Sequence, residues 1–144
     1  MLFRSDDEAL LALLASIVSG RPGEVGSAHL AAAKTYVEDH LTDAGLTAAR
    51  IADGVGLSER HLSRVFAASG TTVPQYVLGR RLARAHAMLS QGGDFSIAEV
   101  AAACGFGSAA RFSHVFRERY DVRASDVLRA ASASTMSKRT RDHD

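Results

Sequence analysis

Apolar residues recur at spacings of three and four along most of this 144-residue chain, which is the period of helices that bury one face. No stretch alternates apolar and polar residues as a half-buried strand would. The clearest pattern occurs twice, as IADGVGLSERHLSRVF at 51–66 and as VAAACGFGSAARFSHVF at 100–116, with one residue more in the second copy. The repetition predicts an architecture built from two copies of one helical unit.

Each copy is predicted to form two helices joined by a tight turn. A residue suited to N-capping precedes each helix, and a glycine follows the first helix, where a left-handed conformation ends it. The caps are Thr47, Ser58, Ser96 and Ser108, and the glycines are Gly56 and Gly105. One such copy alone fits a plain helical hairpin as well, but two matched copies favour helix-turn-helix units, whose second helix enters the major groove in DNA-binding proteins.

The predicted fold class is all-α, with two helix-turn-helix subdomains joined by a long linker helix. It is homeodomain-like, with about seven helices plus an N-terminal helix. The predicted segments are an N-terminal apolar helix and linker (1–26), the first subdomain with the linker helix (27–91), the second subdomain (92–130) and a disordered tail (131–144). Ser27 is expected to cap the helix at 27–41, and Gly79, inside the linker helix, to pack closely against another helix.

Charge is distributed unevenly, although the formal net charge is only +1. Residues 46–129 hold eleven arginines and seven acidic residues, whereas residues 1–45 hold three basic and seven acidic residues. The basic excess of the repeated region therefore consists of arginine, whose planar fork suits phosphate and guanine. This distribution favours a nucleic-acid partner.

The sequence gives little support for an enzyme, a metal site or a membrane protein. The single cysteine, Cys104, falls on an apolar helix face and is interpreted as a buried, inert thiol. His29 and His40 have no convincing metal-ligand spacing and are interpreted as surface histidines. No phosphate loop, carboxylate pair or catalytic triad is recognisable, so neither an enzyme nor a cofactor or metal site is predicted. No apolar run reaches transmembrane length, and we expect a cytoplasmic protein that does not bind membranes.

The order of helices, together with IADGVGLSERHLSRVF and SIAEVAAACGFGSAARFSHVFRERY, resembles the DNA-binding domain of AraC-family transcriptional regulators over about residues 27–130. The resemblance implies a sequence-specific regulator that inserts two recognition helices, about 58–69 and 108–119, into successive major grooves on one face of the duplex. The chain departs from the family after the second recognition helix. Where the family usually has glycine and then serine-proline, this chain has Asp121, Arg123 and Ala124.

The candidates for DNA contact are residues of the recognition helices that are not committed to the core, together with the caps Thr47 and Ser96 at the start of each repeat. Base contacts are expected from Arg60, Ser63, Arg64, Ala110, Arg111 and His114, and phosphate contacts from Thr47, Ser96, His61, Arg117 and Arg119. Ala109 and Ala110 occupy positions where the family often has long polar side chains. The second helix is therefore expected to read bases weakly and to act mainly as a clamp on the DNA backbone.

The resemblance implies double-stranded DNA as the partner, together with RNA polymerase. A dimer is expected through the N-terminal helix or through a missing domain, because we interpret the chain as the C-terminal part of a longer effector-responsive regulator. A stand-alone activator is the alternative to that interpretation. A helical protein–protein interaction module without specific DNA binding is the alternative function, since the acidic, leucine-rich residues 6–18 could bind a partner.

Overall fold

A computed structural model describes residues 22–141 of the chain, which form seven α-helices without a strand. The predicted apolar helix within residues 1–19 lies outside the described residues. The helices are α1 (Pro22–Asp39), α2 (Ala48–Gly54), α3 (Glu59–Ala68), α4 (Val73–Gln91), α5 (Ile97–Ala103), α6 (Ala109–Tyr120) and α7 (Ala124–Arg141). The all-α fold class is confirmed.

The described residues divide into two compact units. The first comprises residues 22–41 and 45–78, and the second comprises residues 42–44 and 79–141. Both units thus take part of α4, because the division falls between Leu78 and Gly79. The sequence placed the end of the first subdomain at residue 91, at the end of this helix rather than inside it.

The core of the first unit joins α1, both helices of the first repeat and the start of α4. Its buried members are Ala33, Val37, Leu41, Leu46, Ile51, Ala52, Leu62, Phe66, Val73 and Val77. The apolar stripe predicted for α1 therefore supplies a large part of this core. Burial of these side chains is the main force that holds the recognition helix α3 on α1 and α2.

The core of the second unit is built from the same repeat positions, with larger aromatic side chains. Phe106 and Phe112 lie 5.0 Å apart between ring centroids, and Phe112 and Phe116 lie 5.6 Å apart. Other buried members are Leu82, Ala85, Leu89, Val100, Ala101, Cys104 and Ala124. Burial raises the pKa of the Cys104 thiol, as expected for an inert cysteine.

The turn between the two helices has the same hydrogen bonds in both repeats. Gly56 and Gly105 have φ of 72° and 84°, and the residue after each glycine donates its N–H to a carbonyl five residues earlier. These bonds, Leu57 N to Ala52 O and Phe106 N to Ala101 O, are both 2.9 Å long. They form the Schellman arrangement that glycine favours at a helix end, so the predicted turn is confirmed in both copies.

All four predicted caps are confirmed. The hydroxyl oxygens accept hydrogen bonds from the N–H three residues later, at 3.1–3.2 Å, in the pairs Thr47–Arg50, Ser58–His61, Ser96–Glu99 and Ser108–Arg111. Each cap satisfies one of the orphan donors of its helix and fixes where that helix begins.

Three predictions outside the repeats are wrong. The helix α1 begins at Pro22 and not at Ser27, because proline is well suited to a first helical turn and Gly26 is tolerated inside the helix. The helix α7 continues to Arg141, through residues expected to be a disordered tail, since alanines at 130, 131 and 133 favour helix without an apolar stripe. A Cβ added at Gly79 would meet nothing within 4 Å, so close packing does not explain this glycine.

Candidate nucleic-acid interface

The recognition helix α3 of the first unit has one buried and one exposed face. Leu62, Val65 and Phe66 are buried, and the remaining residues of the helix are exposed. The predicted base-contacting residues Arg60, Ser63 and Arg64 all lie on the exposed face. Arg60 and Arg64 are one helical turn apart, and neither forms an ion pair with a carboxylate within residues 22–141. Their guanidinium groups can therefore turn towards a ligand without breaking an internal contact.

His61 is exposed on the same helix and contacts a histidine of α1. Its ring meets the ring of His29 edge-on, with centroids 5.0 Å apart. His29 is half-buried, and its Nδ1 is buried without a hydrogen-bond partner in the described structure. Burial, and secondly the charge of His61, lower the pKa of His29. The neutral form of His29 therefore packs beneath the recognition helix.

The interpretation of His29 and His40 as surface histidines is thus wrong. His40 is half-buried as well, since its ring stacks on Tyr36 at 4.0 Å between centroids and its Nδ1 lies 2.9 Å from the Tyr36 carbonyl oxygen. Both rings pack beside the core, although their polar nitrogen atoms favoured an exposed position. Sequence spacing could place them on the helix predicted at 27–41 but could not show what packs against them.

The recognition helix α6 of the second unit has the same division into faces. Phe112 and Phe116 are buried and Val115 is half-buried, whereas the predicted contact residues are exposed. These exposed residues are Ala110, Arg111, His114, Arg117 and Arg119. The predicted capping residues Thr47 and Ser96 are exposed too, at the starts of α2 and α5.

A shallow groove of about 420 Å³ runs beside α6 in the second unit. It is lined by Ile97, Ser113, His114, Arg117, Arg123, Ala124 and Ser125. The groove brings together two of the predicted contact residues, His114 and Arg117, with the start of α7. Arg111 and Arg119 do not line it.

Arg123 is a functional candidate that the sequence did not identify as one. In the sequence Arg123 stands out only as a departure from the family pattern after α6, and in the structure it lines the groove directly ahead of α7. Its position relative to Arg117 depends on the turn between α6 and α7. The positive φ of Asp121 that shapes this turn is difficult to read from a sequence.

Arg81 adds a fixed positive charge to the second unit. Its Nη2 donates a 2.6 Å hydrogen bond to the carbonyl oxygen of Asp43. Burial lowers the pKa of Arg81, the Asp43 carboxylate opposes that change, and the charge of Arg111 adds to it. Arg111 thus lies within electrostatic reach of a second guanidinium, which strengthens the attraction of this part of α6 for an anion.

The described part of the chain contains neither a candidate metal cluster nor a helix that could cross a membrane. Within residues 22–141 no three side chains of histidine, cysteine, aspartate or glutamate are grouped as a metal site requires. Among the same residues, no helix combines the length and the hydropathy that a membrane crossing needs.

Comparison with known proteins shows what these two units are similar to. A family model described as a helix-turn-helix domain matches residues 51–130. The transcriptional activator RhrA of Rhizobium meliloti is 35% identical over 127 residues, which cover 87% of this chain and 40% of RhrA. The regulator ArgR of Pseudomonas aeruginosa is 38% identical over 101 residues, covering 68% of this chain and 30% of ArgR. The chain thus spans less than half the length of these relatives.

Solved structures show the same fold. A transcriptional regulator with an AraC-type DNA-binding domain from Chromobacterium violaceum is 31% identical, with a TM-score of 0.66 over 72% of this chain and 92% of that one. The DNA-binding domain of AdpA, solved in complex with a target DNA, has a TM-score of 0.65 over 73% of this chain and 94% of that one. At 24% identity, the second likeness supports the fold alone. Together with the match of the family model over both repeats, these findings show that the chain belongs to the AraC family of helix-turn-helix transcriptional regulators.

Proposed function

We propose that this chain binds specific sequences of double-stranded DNA through α3 and α6, each in a major groove. The observation that carries the proposal is the division of both recognition helices into a buried apolar face and an exposed face that bears arginine. Membership of a family of transcriptional regulators supports the same function. The whole protein's role in transcription would follow from where it binds.

Sequence reading is assigned mainly to α3. Arg60 and Arg64 are one turn apart on its exposed face, so each guanidinium can donate two hydrogen bonds to the O6 and N7 acceptors of a guanine. Ser63 lies between them, and His61 is proposed to contact a phosphate at the edge of the groove. An arginine–guanine pair discriminates against a wrong base by about 1–3 kcal/mol.

Backbone binding is assigned mainly to α6. The small side chain of Ala110 offers only apolar contact to a base. Arg111 and His114 are therefore the residues of α6 that are proposed to read bases. Arg117 and Arg119 are proposed to contact phosphates, as are Thr47 and Ser96 at the starts of α2 and α5. Phosphate contacts fix the register of a protein on DNA without specifying its sequence.

We propose that α3 and α6 enter successive major grooves on one face of the duplex, which the family of the chain supports.

Titration with DNA at two salt concentrations tests the proposal. Duplexes selected from a random pool and an unselected duplex are titrated with the 144-residue chain, and binding is followed by fluorescence anisotropy. Tighter binding of the selected duplex, with an affinity that falls steeply with salt because counterions are released, is the expected result. Absence of binding to either duplex at low salt would overturn the proposal and leave a protein-interaction module as the better explanation.

RNA polymerase and a second copy of the chain are the further proposed partners. RNA polymerase is proposed because of the family, and the second copy because of the apolar pattern of residues 1–19. The proposed function includes no catalytic step. Sedimentation of the chain with and without a selected duplex would report whether one or two copies bind.

A further inference from the structure

We propose that the groove between α6 and the start of α7 is a binding site for a phosphodiester of the DNA backbone, in which Arg123 acts beside Arg117. The inference rests on the proposed DNA binding and adds a residue and a site to it. Arg123 is not among the contacts that the sequence suggested.

The groove has the chemistry of an anion site. Two arginines line it, together with the polar residues Ser113, His114 and Ser125, and no acidic residue does. Guanidinium and hydroxyl groups are the usual donors to phosphate oxygens in protein–DNA contacts. Glu118 and Asp126, the sequence neighbours of the lining residues Arg117 and Ser125, each contact another side chain: Glu118 lies 3.1 Å from His114, and Asp126 lies 3.8 Å from Arg129.

The groove is open enough for a DNA strand and borders the exposed face of the recognition helix. Ser113, His114 and Arg117 belong to this face of α6, so a strand that follows the helix in the major groove would pass the groove. At about 420 Å³ and open to solvent, the groove accommodates a phosphate and part of its sugar. A backbone phosphate is therefore the occupant that both position and charge favour.

The main chain holds the two arginines in place. Asp121 donates its N–H to the carbonyl oxygen of Arg117 at 2.9 Å, which closes the end of α6. The carbonyl oxygen of Arg123 accepts from Asp126 and Val127 at 3.1 and 3.2 Å, which opens α7. Ala124, 3% exposed, anchors the turn between them. Only the side chains of the arginines must become ordered on binding, which keeps the entropic cost low.

Arg123 directly precedes α7 and lines the groove. Arginine at this position adds a positive charge and a planar donor fork. A phosphate contact from Arg123 would compensate for the weak base reading expected from a recognition helix that begins with two alanines.

Substitution of Arg123 tests the inference, with Arg129 as the matched control. Arg123→Gln and Arg129→Gln remove the same charge from the same unit, but only the first residue lines the groove. Arg123→Gln should weaken binding roughly 3- to 10-fold for a selected and for an unselected duplex alike, and should reduce the slope of log K against log salt concentration by about one. Arg123→Lys, which keeps the charge, should retain the wild-type slope, and Arg129→Gln should change neither quantity.

Each contrary result has a separate meaning. Equal behaviour of Arg123→Gln and Arg129→Gln would overturn the phosphate site while leaving DNA binding intact. A loss confined to the selected duplex would overturn it too, because it would make Arg123 a base-reading residue. Failure of the wild-type chain to bind any duplex would overturn the proposed function itself. Thermal melting of each variant separates a change in binding from a change in folding.

Discussion

The side chains of His114 and Glu118 meet on the exposed face of the second recognition helix, with Nε2 3.1 Å from Oε1. The two residues are one turn apart on α6, and their side chains are 73% and 67% exposed. A residue proposed to contact DNA is therefore held by a carboxylate that DNA would repel. Exposed pairs of this kind contribute little to stability, so the pair matters more for binding than for folding.

Glu118→Gln is expected to strengthen DNA binding about 2- to 5-fold at low salt, because it releases His114 and removes a negative charge next to the duplex. The gain should shrink as salt is added. Anisotropy titrations of the wild type and the variant measure it. Asp126→Asn is the control, since it removes a carboxylate that is paired with Arg129 on α7 instead. Equal effects of both substitutions would indicate a general charge effect and not a release of His114.

Arg60→Ala and Arg64→Ala should each cost about 1–3 kcal/mol of binding free energy on a selected duplex and relax the base preference at one position. The physical reason is the loss of two hydrogen bonds to one base edge. Selection of preferred sequences with each variant measures the relaxed position. Unchanged affinity in both variants would show that this face of α3 does not read the DNA.

Gly54→Ala should destabilise the first unit by roughly 1–3 kcal/mol, since overpacking forces neighbours to move. A Cβ at this position would lie 2.6 Å from Cζ of Tyr36, whose ring is stacked on His40 and has little freedom to withdraw. Gly79→Ala is the matched control, because the space around Gly79 is open. It should stabilise the chain by up to about 1 kcal/mol through helix propensity. Urea unfolding of both variants tests the contrast.

Asp121→Ala should lower the free energy of unfolding by about 1 kcal/mol, whereas Asp121→Gly should be at least as stable as the wild type. Asp121 has φ of 61° and is the one non-glycine residue with positive φ among residues 22–141. Aspartate tolerates this conformation better than alanine does, and glycine adopts it without a steric penalty. Thermal melting of the wild type and the two variants gives their order of stability. An alanine variant as stable as the wild type would contradict the prediction.

Acidification should destabilise the first unit through His29. Burial holds the pKa of His29 below its ordinary value of 6.5, so the unfolded chain binds a proton more readily than the folded one. The stability linked to neutral His29 is therefore fully present above the ordinary value of 6.5 and is lost as the pH falls below it, through the lowered pKa of the folded state. Urea unfolding at about pH 7.5 and about pH 5.5 should show a larger loss for the wild type than for His29→Gln. Equal losses of stability in the two proteins would show that a group other than His29 causes the pH dependence.

The repeats could be predicted from the sequence because local signals and the fold agree there. The four hydroxyl caps, the glycines at 56 and 105 and the residues at spacings of three and four each determine local structure within a few residues. The all-α class and the exposed faces of both recognition helices follow from these signals. What the exposed residues contact in DNA stays a prediction, since side-chain exposure permits contact but does not specify it.

The failures of prediction share a different cause. The packing of His29 against His61 joins residues of different helices, and the groove lined by Arg117 and Arg123 depends on the turn between α6 and α7, so no simple sequence pattern reveals either. The ends of α1 and α7 were misplaced because helix propensity, and not an apolar stripe, extends them. Gly54 went unnoticed for the same reason as His29, since its explanation lies in a tyrosine ring of another helix.

The contribution of α1 to the first core affects how the domain can be isolated. The family match starts at residue 51, but Ala33, Val37 and Leu41 are almost completely buried among the side chains of the first repeat. A fragment trimmed to the matched residues would expose Phe66 and Leu62 to water and would be prone to aggregation. Expression boundaries for this domain should therefore be placed ahead of residue 22, where the helix that closes the core begins.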